Sequence, residues 1–335
     1  MKKACFVSTN GPQAIDQAYS QSAQTKLQET LDFLPALYTH EPPDERYQEC
    51  HYIFSTWGCP AYDKAFLEQY FPQLEAVFYA AGSVKAFAEG YLNAGVKLYA
   101  AASVNAIPVA DFCLGQIILA SKGYFHLARE MSYENHQTLR KLSENYPSSY
   151  GLTIGLIGFG QIARLLTEKI QAILDESKIL VYDPFISSQE IASYGAQKID
   201  KLPDLFKVSE IVSNHLPNLP ETVGNLNYEL FAAMPRYATF INTGRGAQVV
   251  EEDLAKALRE RPDLTALLDV TWPEPPQAGH PFYELKNVFY SPHIAGSKGR
   301  EIQRMGDAMY DAYKSHEKGE NSHYEIKAAA LAHMA

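Results

Sequence analysis

Short apolar runs alternate with longer amphipathic stretches along most of the chain. In the first hundred residues these runs cover residues 4–7, 51–55, 76–79 and 97–100. Further runs cover residues 154–157, 179–182, 211–216, 239–242, 265–269 and 288–291. Continuous apolar runs of this length are typical of parallel strands that helices cover on both faces. The pattern predicts an α/β fold with two Rossmann-like or flavodoxin-like units, each a doubly wound parallel sheet, and a cleft between them.

Two other segments suggest how the chain is divided. Pro108 is expected to open a long apolar helix over residues 109–129, which has too few charges for an exposed surface and would pack at a domain or subunit junction. A helix over residues 301–317 lies in a C-terminal segment too short to fold alone, so it would return to the first unit. We therefore expect an outer, discontinuous domain of residues 1–103 plus 300–335 and an inner domain of residues 104–299.

Composition narrows the classes of partner. The chain of 335 residues carries 29 basic and 39 acidic side chains, and its net charge of −10 argues against a nucleic-acid or anionic-membrane surface. It offers no uncharged apolar run of roughly twenty residues, so we expect a cytoplasmic protein with no membrane partner. Its cysteines, Cys5, Cys50, Cys59 and Cys113, show no C-x-x-C spacing and no clustered histidines, so neither disulfides nor a metal site is expected.

A glycine-rich turn follows the apolar run that ends at residue 157. Residues 158–163 read Gly-Phe-Gly-Gln-Ile-Ala, which fits the G-x-G-x-x-G/A turn that opens a helix. The first glycine allows the tight turn, and the second lets backbone N–H groups approach a pyrophosphate at the helix N-terminus. The candidates for dinucleotide binding here are Gly158, Phe159, Gly160, Gln161 and Ile162.

Asp183 strengthens this interpretation, because two glycines can also occur in such a turn for steric reasons alone. It follows the next predicted strand, about twenty residues on, where a carboxylate can accept hydrogen bonds from the adenosine ribose hydroxyls. The residues after it, Pro184, Phe185 and Ile186, include no Arg or Lys that would neutralise a 2′-phosphate. The sequence therefore favours NAD over NADP as the cofactor.

Three loops after later predicted strands each present ionisable side chains at the sheet edge where ligands bind. Arg245 could hold a carboxylate bidentately, Asp269 or Glu274 could orient another group, and His293 is suited to exchange a proton near neutrality. Taken singly, Arg245 could be a surface arginine, His293 a structural histidine and Asp269 a loop cap. Their occurrence at successive strand ends of one nucleotide-binding sheet favours chemistry on an acidic substrate.

Together and in this order, these motifs resemble the D-isomer-specific 2-hydroxyacid dehydrogenases over most of the chain. The motifs are residues 158–163, His215-Leu216-Pro217 with Thr222, residues 242–246, residues 269–275 and residues 291–296. The resemblance implies that Arg245 binds the carboxylate of a 2-oxo acid, that His293 is the general acid/base and that Glu274 pairs with His293. This pairing would hold the histidine in the protonated form needed to reduce a ketone.

The resemblance also implies where the cofactor and a second copy of the chain bind. The further cofactor-binding candidates are His215, Pro217, Thr222, Thr243, Gly244, Asp269 and Gly296, with Thr243 and Asp269 on the nicotinamide-ribose side. A homodimer is expected, with the apolar helix after Pro108 as its interface. The inner domain would then bind NAD and the outer domain the substrate.

The outer domain matches the family more loosely. Ala81, Gly82 and Ser83 lie where the family has a backbone-lined loop that receives the substrate carboxylate. The family usually has an Asp two residues after that glycine, but this chain has Val84. Trp57 could face the substrate and restrict its size, or it could be a buried packing residue.

Several functions remain open on these residues. The leading one is hydride transfer between NAD(H) and a small D-2-hydroxy or 2-oxo acid, with glyoxylate or hydroxypyruvate favoured. Formate dehydrogenases resemble the chain but pair their histidine with Gln, and Glu274 argues against them. Phosphoglycerate dehydrogenases usually carry extra regulatory domains, although short forms exist. The alternative of another class is a non-catalytic NAD(H)-sensing regulatory protein.

Overall fold

Thirteen strands occur in residues 1–331, the part of the chain that the computed structural model describes. The first five are β1 Lys3–Val7, β2 Asp32–Phe33, β3 Cys50–Ser55, β4 Ala76–Tyr79 and β5 Lys97–Ala100. The next five are β6 Thr153–Ile157, β7 Lys178–Tyr182, β8 Gln197–Lys198, β9 Ile211–Asn214 and β10 Thr239–Asn242. The last three are β11 Thr265–Leu268, β12 Val288–Tyr290 and β13 Glu325–Ile326.

The helices lie between these strands. They are α1 Pro12–Ala18, α2 Gln21–Gln28, α3 Lys64–Tyr70, α4 Ala88–Asn93, α5 Ala102–Ser121, α6 Tyr124–Glu130 and α7 His136–Leu142. They continue with α8 Gln161–Ile173, α9 Ser188–Ser193, α10 Leu202–Val208, α11 Tyr228–Ala232, α12 Glu251–Glu260, α13 Arg300–Glu317 and α14 Ala328–Leu331. Short 3₁₀ helices cover Glu45–Glu49, Ser143–Asn145, Pro220–Thr222, Gly246–Gln248 and Pro281–Tyr283.

The chain divides into two compact units. Unit 1 comprises residues 1–106 and 297–335, and unit 2 comprises residues 107–296. The sequence placed these boundaries three residues away, at 103/104 and 299/300. Residues 332–335 of the expected outer domain lie outside the described residues.

Unit 1 is built on a six-stranded sheet in the order β13-β5-β4-β3-β1-β2. Its strands pair in parallel, except that β13 runs antiparallel to β5. One face carries a layer of aromatic side chains, and α13 covers it with Met305, Met309 and Tyr313. Gly306 allows α13 to lie close to α1, since a Cβ there would come within 2.0 Å of the carbonyl oxygen of Ala18.

Unit 2 contains a seven-stranded parallel sheet in the order β12-β11-β10-β9-β6-β7-β8. The chain builds from β6 towards one edge through β7 and β8, and from β9 towards the other edge through β12. The order therefore reverses between β6 and β9, and the crevice at the carboxyl ends of these two strands is where such sheets bind ligands. One apolar cluster includes α5 and α8, and the other includes α10, α11 and α12. These two clusters match the two-sided burial that the apolar runs predict, and the predicted α/β class is confirmed.

The prediction for the long apolar helix was wrong at both ends. Helix α5 begins at Ala102 and contains Pro108 in its interior, and Gly123, at φ +67°, separates it from α6. The apolar side chains around Pro108 explain why the helix continues through it, because Val109, Ala110 and Cys113 pack into the core of unit 2. By length and composition alone, α5 passes as a membrane-span candidate among the described residues.

Candidate active site

The turn between β6 and α8 has the geometry that a dinucleotide requires. Gly158 lies at φ +83°, and a Cβ there would come within 2.9 Å of the carbonyl oxygen of His215. Gly160 caps α8 without a side-chain hydrogen bond, and no atom beyond its chain neighbours lies within 4 Å of its ideal Cβ position among the described residues. The first N–H groups of this 13-residue helix therefore have room for a diphosphate, which the helix dipole favours.

Asp183 closes the other side of this turn. Its Oδ2 accepts a hydrogen bond from the N–H of Phe159 at 2.8 Å, and its Oδ1 accepts from Phe185 at 2.8 Å and Ile186 at 3.2 Å. These bonds hold the carboxylate beside the glycine turn. The predicted acid and the predicted turn thus lie together.

Two basic side chains lie near Asp183, although none follows it directly in sequence. Lys198 Nζ donates to the carbonyl oxygen of Ile186 at 2.7 Å, and Arg164 Nε donates to that of Phe159 at 3.1 Å. Arg164 also forms an ion pair with Glu190 at 2.6 Å. Both cations are therefore already engaged by unit 2 itself.

The loop after β9 brings His215, Pro217 and Thr222 to the same region. Thr222 Oγ1 donates to the carbonyl oxygen of Pro217 at 2.7 Å and accepts from the N–H of Leu219 at 3.0 Å. His215 Nε2 lies 2.9 Å from Ser213 Oγ, and its buried Nδ1 has no hydrogen-bond partner within the described residues. Burial lowers the pKa of His215 to about 4, so the ring is neutral at pH 7. A buried unpaired nitrogen next to the glycine turn fits a polar ligand there.

Arg245 lies in the loop after β10, where several hydrogen bonds restrain it. Its Nη1 donates to the carbonyl oxygen of Gly244 at 2.7 Å, and its own carbonyl accepts from Asn242 Nδ2 at 3.2 Å. Burial lowers the pKa of Arg245, and the charge of Glu274 opposes that shift. The guanidinium is thus largely withdrawn from solvent and within electrostatic reach of Glu274.

A buried amide network joins the Arg245 loop to the His215 loop. Gln248 Oε1 accepts from Asn214 Nδ2 at 2.6 Å and from the N–H of Arg245 at 3.2 Å. Gln248 Nε2 donates to the carbonyl oxygens of Leu216 at 2.8 Å and Pro217 at 2.9 Å. Sequence reasoning missed Gln248 and Asn214, and the only signal was their place just beside the two motifs.

Asp269 is buried and anchors the loop that carries His293. Its Oδ1 accepts from Ser291 Oγ at 2.6 Å and from the N–H of Ile294 at 2.8 Å, and its Oδ2 accepts from the N–H of Ala295 at 2.8 Å. The N–H of His293 donates to the backbone carbonyl of Asp269 at 3.0 Å. Asp269 therefore serves as a loop cap, which the sequence left open beside a cofactor role.

His293 and Glu274 form a hydrogen-bonded pair. His293 Nδ1 lies 2.9 Å from Glu274 Oε1, and the two side chains are 50% and 33% exposed. The backbone of His293 is left-handed, with φ +52°. If Nδ1–H donates to the carboxylate, Nε2 is left for another partner, and it has none within the described residues.

Two further residues were predicted to bind the cofactor, Thr243 and Gly296. Thr243 is buried, and its Oγ1 lies 3.3 Å from Cys113 Sγ of α5. Gly296 is the last residue of unit 2. No group of three or more potential metal ligands occurs in residues 1–331.

In unit 1, the predicted substrate loop follows β4. The ideal Cβ position of Gly82 lies 3.1 Å from Asn105 Nδ2, and Asn105 Oδ1 accepts from the N–H of Ser297 at 3.0 Å. Ala81 is buried. Asn105 thus packs closely against Gly82 and binds Ser297, and sequence reasoning missed it.

Trp57 follows β3 and is 37% exposed, so it is not the buried packing residue that the sequence left as one alternative. Its carbonyl oxygen accepts from Ser8 Oγ at 2.7 Å. Gly58, at φ +86°, lies so close to the backbone of Asn10 that a Cβ would come within 2.7 Å of its nitrogen. The loops after β1 and β3 are therefore tied together.

The family model for the D-isomer specific 2-hydroxyacid dehydrogenase, NAD binding domain, matches residues 114–295, which is more than half of the 335-residue chain. The chain belongs to the D-isomer specific 2-hydroxyacid dehydrogenase family. The match lies within unit 2 and contains the glycine turn, Arg245, Glu274 and His293. The family predicted from the sequence is confirmed.

Individual relatives match this chain at low sequence identity and over only part of their own length. YoaD of Bacillus subtilis (strain 168), named as a 2-hydroxyacid dehydrogenase, is 31% identical over 209 residues, which cover 61% of this chain and 58% of that protein. D-3-phosphoglycerate dehydrogenase of Methanocaldococcus jannaschii is 28% identical over 232 residues, 69% of this chain and 43% of that protein. The aligned segments thus span less than two thirds of these curated relatives.

The structural similarity to solved proteins covers both units of the chain. The apo D-mandelate dehydrogenase of Rhodotorula graminis superposes with a TM-score of 0.81 at 19% identity, covering 98% of each chain. One difference from the family pattern, already visible in the sequence, lies in unit 1. Val84 is fully buried at the position where the resemblance leads us to expect an Asp, so the predicted substrate loop ends in a core residue.

Proposed function

We propose that this chain is an NAD(H)-dependent oxidoreductase that interconverts a small 2-oxo acid and the corresponding D-2-hydroxy acid. The observation that carries the proposal is the 2.9 Å contact between His293 and Glu274. It lies in the same parallel-sheet unit as a dinucleotide turn and a restrained arginine. Family membership supports the same reaction class.

The pair of His293 and Glu274 would exchange the proton. In the direction of reduction, His293 donates its Nε2 proton to the carbonyl oxygen of the substrate while Nδ1–H remains on the Glu274 carboxylate. The negative carboxylate stabilises the imidazolium before transfer and orients the ring. In the direction of oxidation, His293 accepts the hydroxyl proton.

Arg245 would bind the substrate carboxylate and act on the adjacent carbonyl. A guanidinium matches a carboxylate through two parallel N–H bonds and always carries its charge. Because burial removes much of the competing water, this charge also stabilises negative charge that develops on the substrate oxygen. The Gln248 bond to its backbone keeps the loop in place for this role.

The residues present fit a nicotinamide dinucleotide, which when bound supplies or accepts the hydride. Gly158, Phe159, Gly160, Gln161 and Ile162 would hold its diphosphate, and Asp183 its adenosine ribose. The loops that carry His215, Pro217, Thr222, Thr243, Gly244, Asp269 and Gly296 would line the rest. The unpaired Nδ1 of His215 and the uncapped start of α8 support this assignment.

NAD is the proposed cofactor in preference to NADP. The carboxylate of Asp183 would repel a 2′-phosphate, and the two basic side chains near it are engaged with Glu190 and backbone carbonyls. The preference therefore depends on one negative charge at the end of β7.

The proposed substrate is a small acid such as glyoxylate or hydroxypyruvate. Ala81, Gly82 and Ser83 would hold its carboxylate through the backbone, and Trp57 would limit its size. The exposure of Trp57 supports a ligand-facing role for its indole.

A homodimer is the proposed assembly. Unit 2 exposes several large apolar side chains from the end of α5 up to β6, where a second copy could cover them: Leu119, Tyr124, Met131, Tyr133 and Tyr150. Light scattering after size exclusion tests this, and a monomer at micromolar concentration would contradict it. The cytoplasmic location stays a prediction.

The deciding experiment follows NADH oxidation at 340 nm with a panel of 2-oxo acids, led by glyoxylate and hydroxypyruvate, with NADPH in parallel. We expect turnover that Arg245→Ala and His293→Ala abolish while NADH titration still shows binding. No turnover across the panel, with NADH still bound, would refute the dehydrogenase and favour the NAD(H) sensor.

A further inference from the structure

A second histidine–carboxylate pair lies in unit 2, apart from His293 and Glu274. Glu251 is the first residue of α12, and His280 precedes the 3₁₀ helix Pro281–Tyr283. Glu251 Oε2 lies 3.1 Å from His280 Nε2, and the side chains are only 11% and 17% exposed. Neither residue belongs to a motif that the sequence singled out.

Glu251 binds the loop between β11 and β12 at two points. Its Oε1 accepts from the N–H of Trp272 at 2.8 Å, and its Oε2 meets the His280 ring. Glu274 lies between these two contacts in sequence. One carboxylate therefore holds both sides of the segment that carries Glu274, which we name the 272–280 loop.

The hydrogen bonds set the protonation of this pair. The N–H of Phe282 points at His280 Nδ1 at 3.4 Å, so Nδ1 accepts and Nε2 carries the proton. Nε2–H then donates to Glu251 Oε2, so both oxygens of this carboxyl group act as acceptors. Burial lowers the pKa of His280, in keeping with a neutral ring.

We propose that Glu251 and His280 are positioning residues that hold the 272–280 loop so that Glu274 meets His293. This inference rests on the proposed function, because Glu274 matters only if His293 transfers a proton. Neither Glu251 nor His280 would touch the substrate or the cofactor. They would act through Glu274 alone.

The burial of a carboxylate in this place argues for a role beyond folding. Removing a carboxylate from water is costly, and a neutral side chain would pack there at less expense. Burial raises the pKa of Glu251 to about 7, the direction expected when a carboxylate is withdrawn from water. An anchor that weakens the fold yet restrains a functional loop is the expected sign of a positioning residue.

Two other contacts restrain the same loop, each on one side of Glu274 only. Thr271 Oγ1 donates to the carbonyl oxygen of Pro273 at 3.0 Å, and Tyr283 Oη donates to that of Pro276 at 3.4 Å. Neither contact joins a residue before Glu274 to one after it. We therefore assign the placement of Glu274 to Glu251, which binds the loop on both sides of it.

The test is a double-mutant cycle on kcat in the full-length protein with saturating NADH. Glu251→Gln keeps the shape but cannot accept at both positions, and we expect it to lower kcat by about 10- to 100-fold with the Kd of NADH unchanged. In a Glu274→Gln background the same change should alter kcat by no more than about twofold, because its target is gone. Glu252→Gln, at the exposed neighbouring position, is the matched control and should have no effect.

His280 supplies a second, independent arm. In His280→Gln the amide can still donate to Glu251 and should retain most of the activity, whereas His280→Leu should lose as much as Glu251→Gln. This arm decides the matter if Glu251→Gln fails to fold. Equal losses of kcat from Glu251→Gln in both backgrounds, or none in either, would overturn the proposal.

A readout without turnover separates this proposal from the proposed function. The hydrogen bond to Glu274 should give the His293 ring proton on Nδ1 an NMR signal that Glu274→Gln, Glu251→Gln and His280→Leu each weaken. If the wild type turns over no 2-oxo acid but these variants still lose the signal, the dehydrogenase function fails while the positioning role stands. A signal that Glu251→Gln leaves intact would refute the positioning role.

Discussion

Glu274 Oε1 lies 2.9 Å from His293 Nδ1, although the two residues are separated by 19 positions and belong to different loops of unit 2. The contact requires two loops to be placed independently. Asp269 fixes the loop of His293 through three hydrogen bonds to its carboxylate, and Glu251 holds the loop of Glu274. The pair therefore depends on buried carboxylates that never meet it.

Glu274→Gln should lower kcat for reduction of a 2-oxo acid by about 10- to 100-fold, a part of what general acid catalysis contributes. The amide oxygen can still accept from Nδ1–H, but it carries no charge to stabilise the imidazolium. NADH titration by fluorescence should give the wild-type Kd. An unchanged kcat would remove Glu274 from the proton transfer, and Glu284→Gln, in the neighbouring segment and exposed, serves as the control.

Asp269→Asn should destabilise unit 2 and lower turnover together. An amide presents one NH₂ group to donors that all point at the carboxylate, so at least one buried N–H loses its acceptor at a cost of about 1 to 3 kcal/mol. Thermal unfolding measures the first effect and the NADH assay the second. Asp175→Asn, on the surface of the same unit, should change neither. A wild-type Tm and rate would refute the anchoring role of Asp269.

Asp183→Ala should weaken NADH binding more than NADPH binding. The wild-type carboxylate can bind the ribose hydroxyls and repels a 2′-phosphate, so its loss removes both effects. We expect the preference for NADH to fall by at least about tenfold, or ~1.4 kcal/mol. Fluorescence titration with both cofactors checks this, with the exposed Asp204→Ala as control. A preference that does not change would place the ribose elsewhere.

Glu251 predicts a pH-dependent stability. Its pKa in the folded protein is about 7, raised from 4.5 by burial. Below pH 4.5 the Glu251 carboxyl group is protonated in both the folded and the unfolded chain. Its contribution to the stability of the folded protein is then largest. Between pH 4.5 and 7 the unfolded chain releases the proton first, so this contribution is lost as pH rises, by at most about 3 kcal/mol.

The comparison with Glu251→Gln isolates this carboxyl from His280, which faces it and titrates as well. Unfolding in urea at pH 5, 6, 7 and 8 should show the Gln variant gaining stability relative to the wild type up to about pH 7 and then levelling off. A difference that stays constant with pH would show that Glu251 does not titrate as proposed.

Much of the fold follows from local patterns in the sequence. Residues 76–79, 97–100 and 239–242 were predicted as strands with the bounds that the structure has, because each is an apolar run between turn residues. The strands Asp32–Phe33, Gln197–Lys198 and Glu325–Ile326 were not predicted. They are two-residue edge strands whose pairing depends on distant neighbours, and their composition carries no signal.

The candidate site also contains residues that the sequence could predict and residues that it could not. Arg245, Glu274 and His293 could be found because they follow successive strands of one sheet. Gln248, Glu251 and His280 could not, since nothing in their spacing reveals that their side chains reach other loops. Pro108 misled the helix prediction for a related reason, because packing of α5 in the core outweighs the local preference of a proline.

Unit 1 is assembled from both ends of the chain, and this affects the order in which the protein can fold during synthesis. The rings of Tyr52 and Phe78 lie 5.6 Å and 5.8 Å from Tyr313, whose helix α13 follows unit 2 in the chain. The whole of unit 2 is translated before that helix appears, so unit 2 can complete its sheet while the first 106 residues still expose an aromatic face. A nascent chain paused before residue 300 would therefore hold one finished unit and one that needs protection from aggregation.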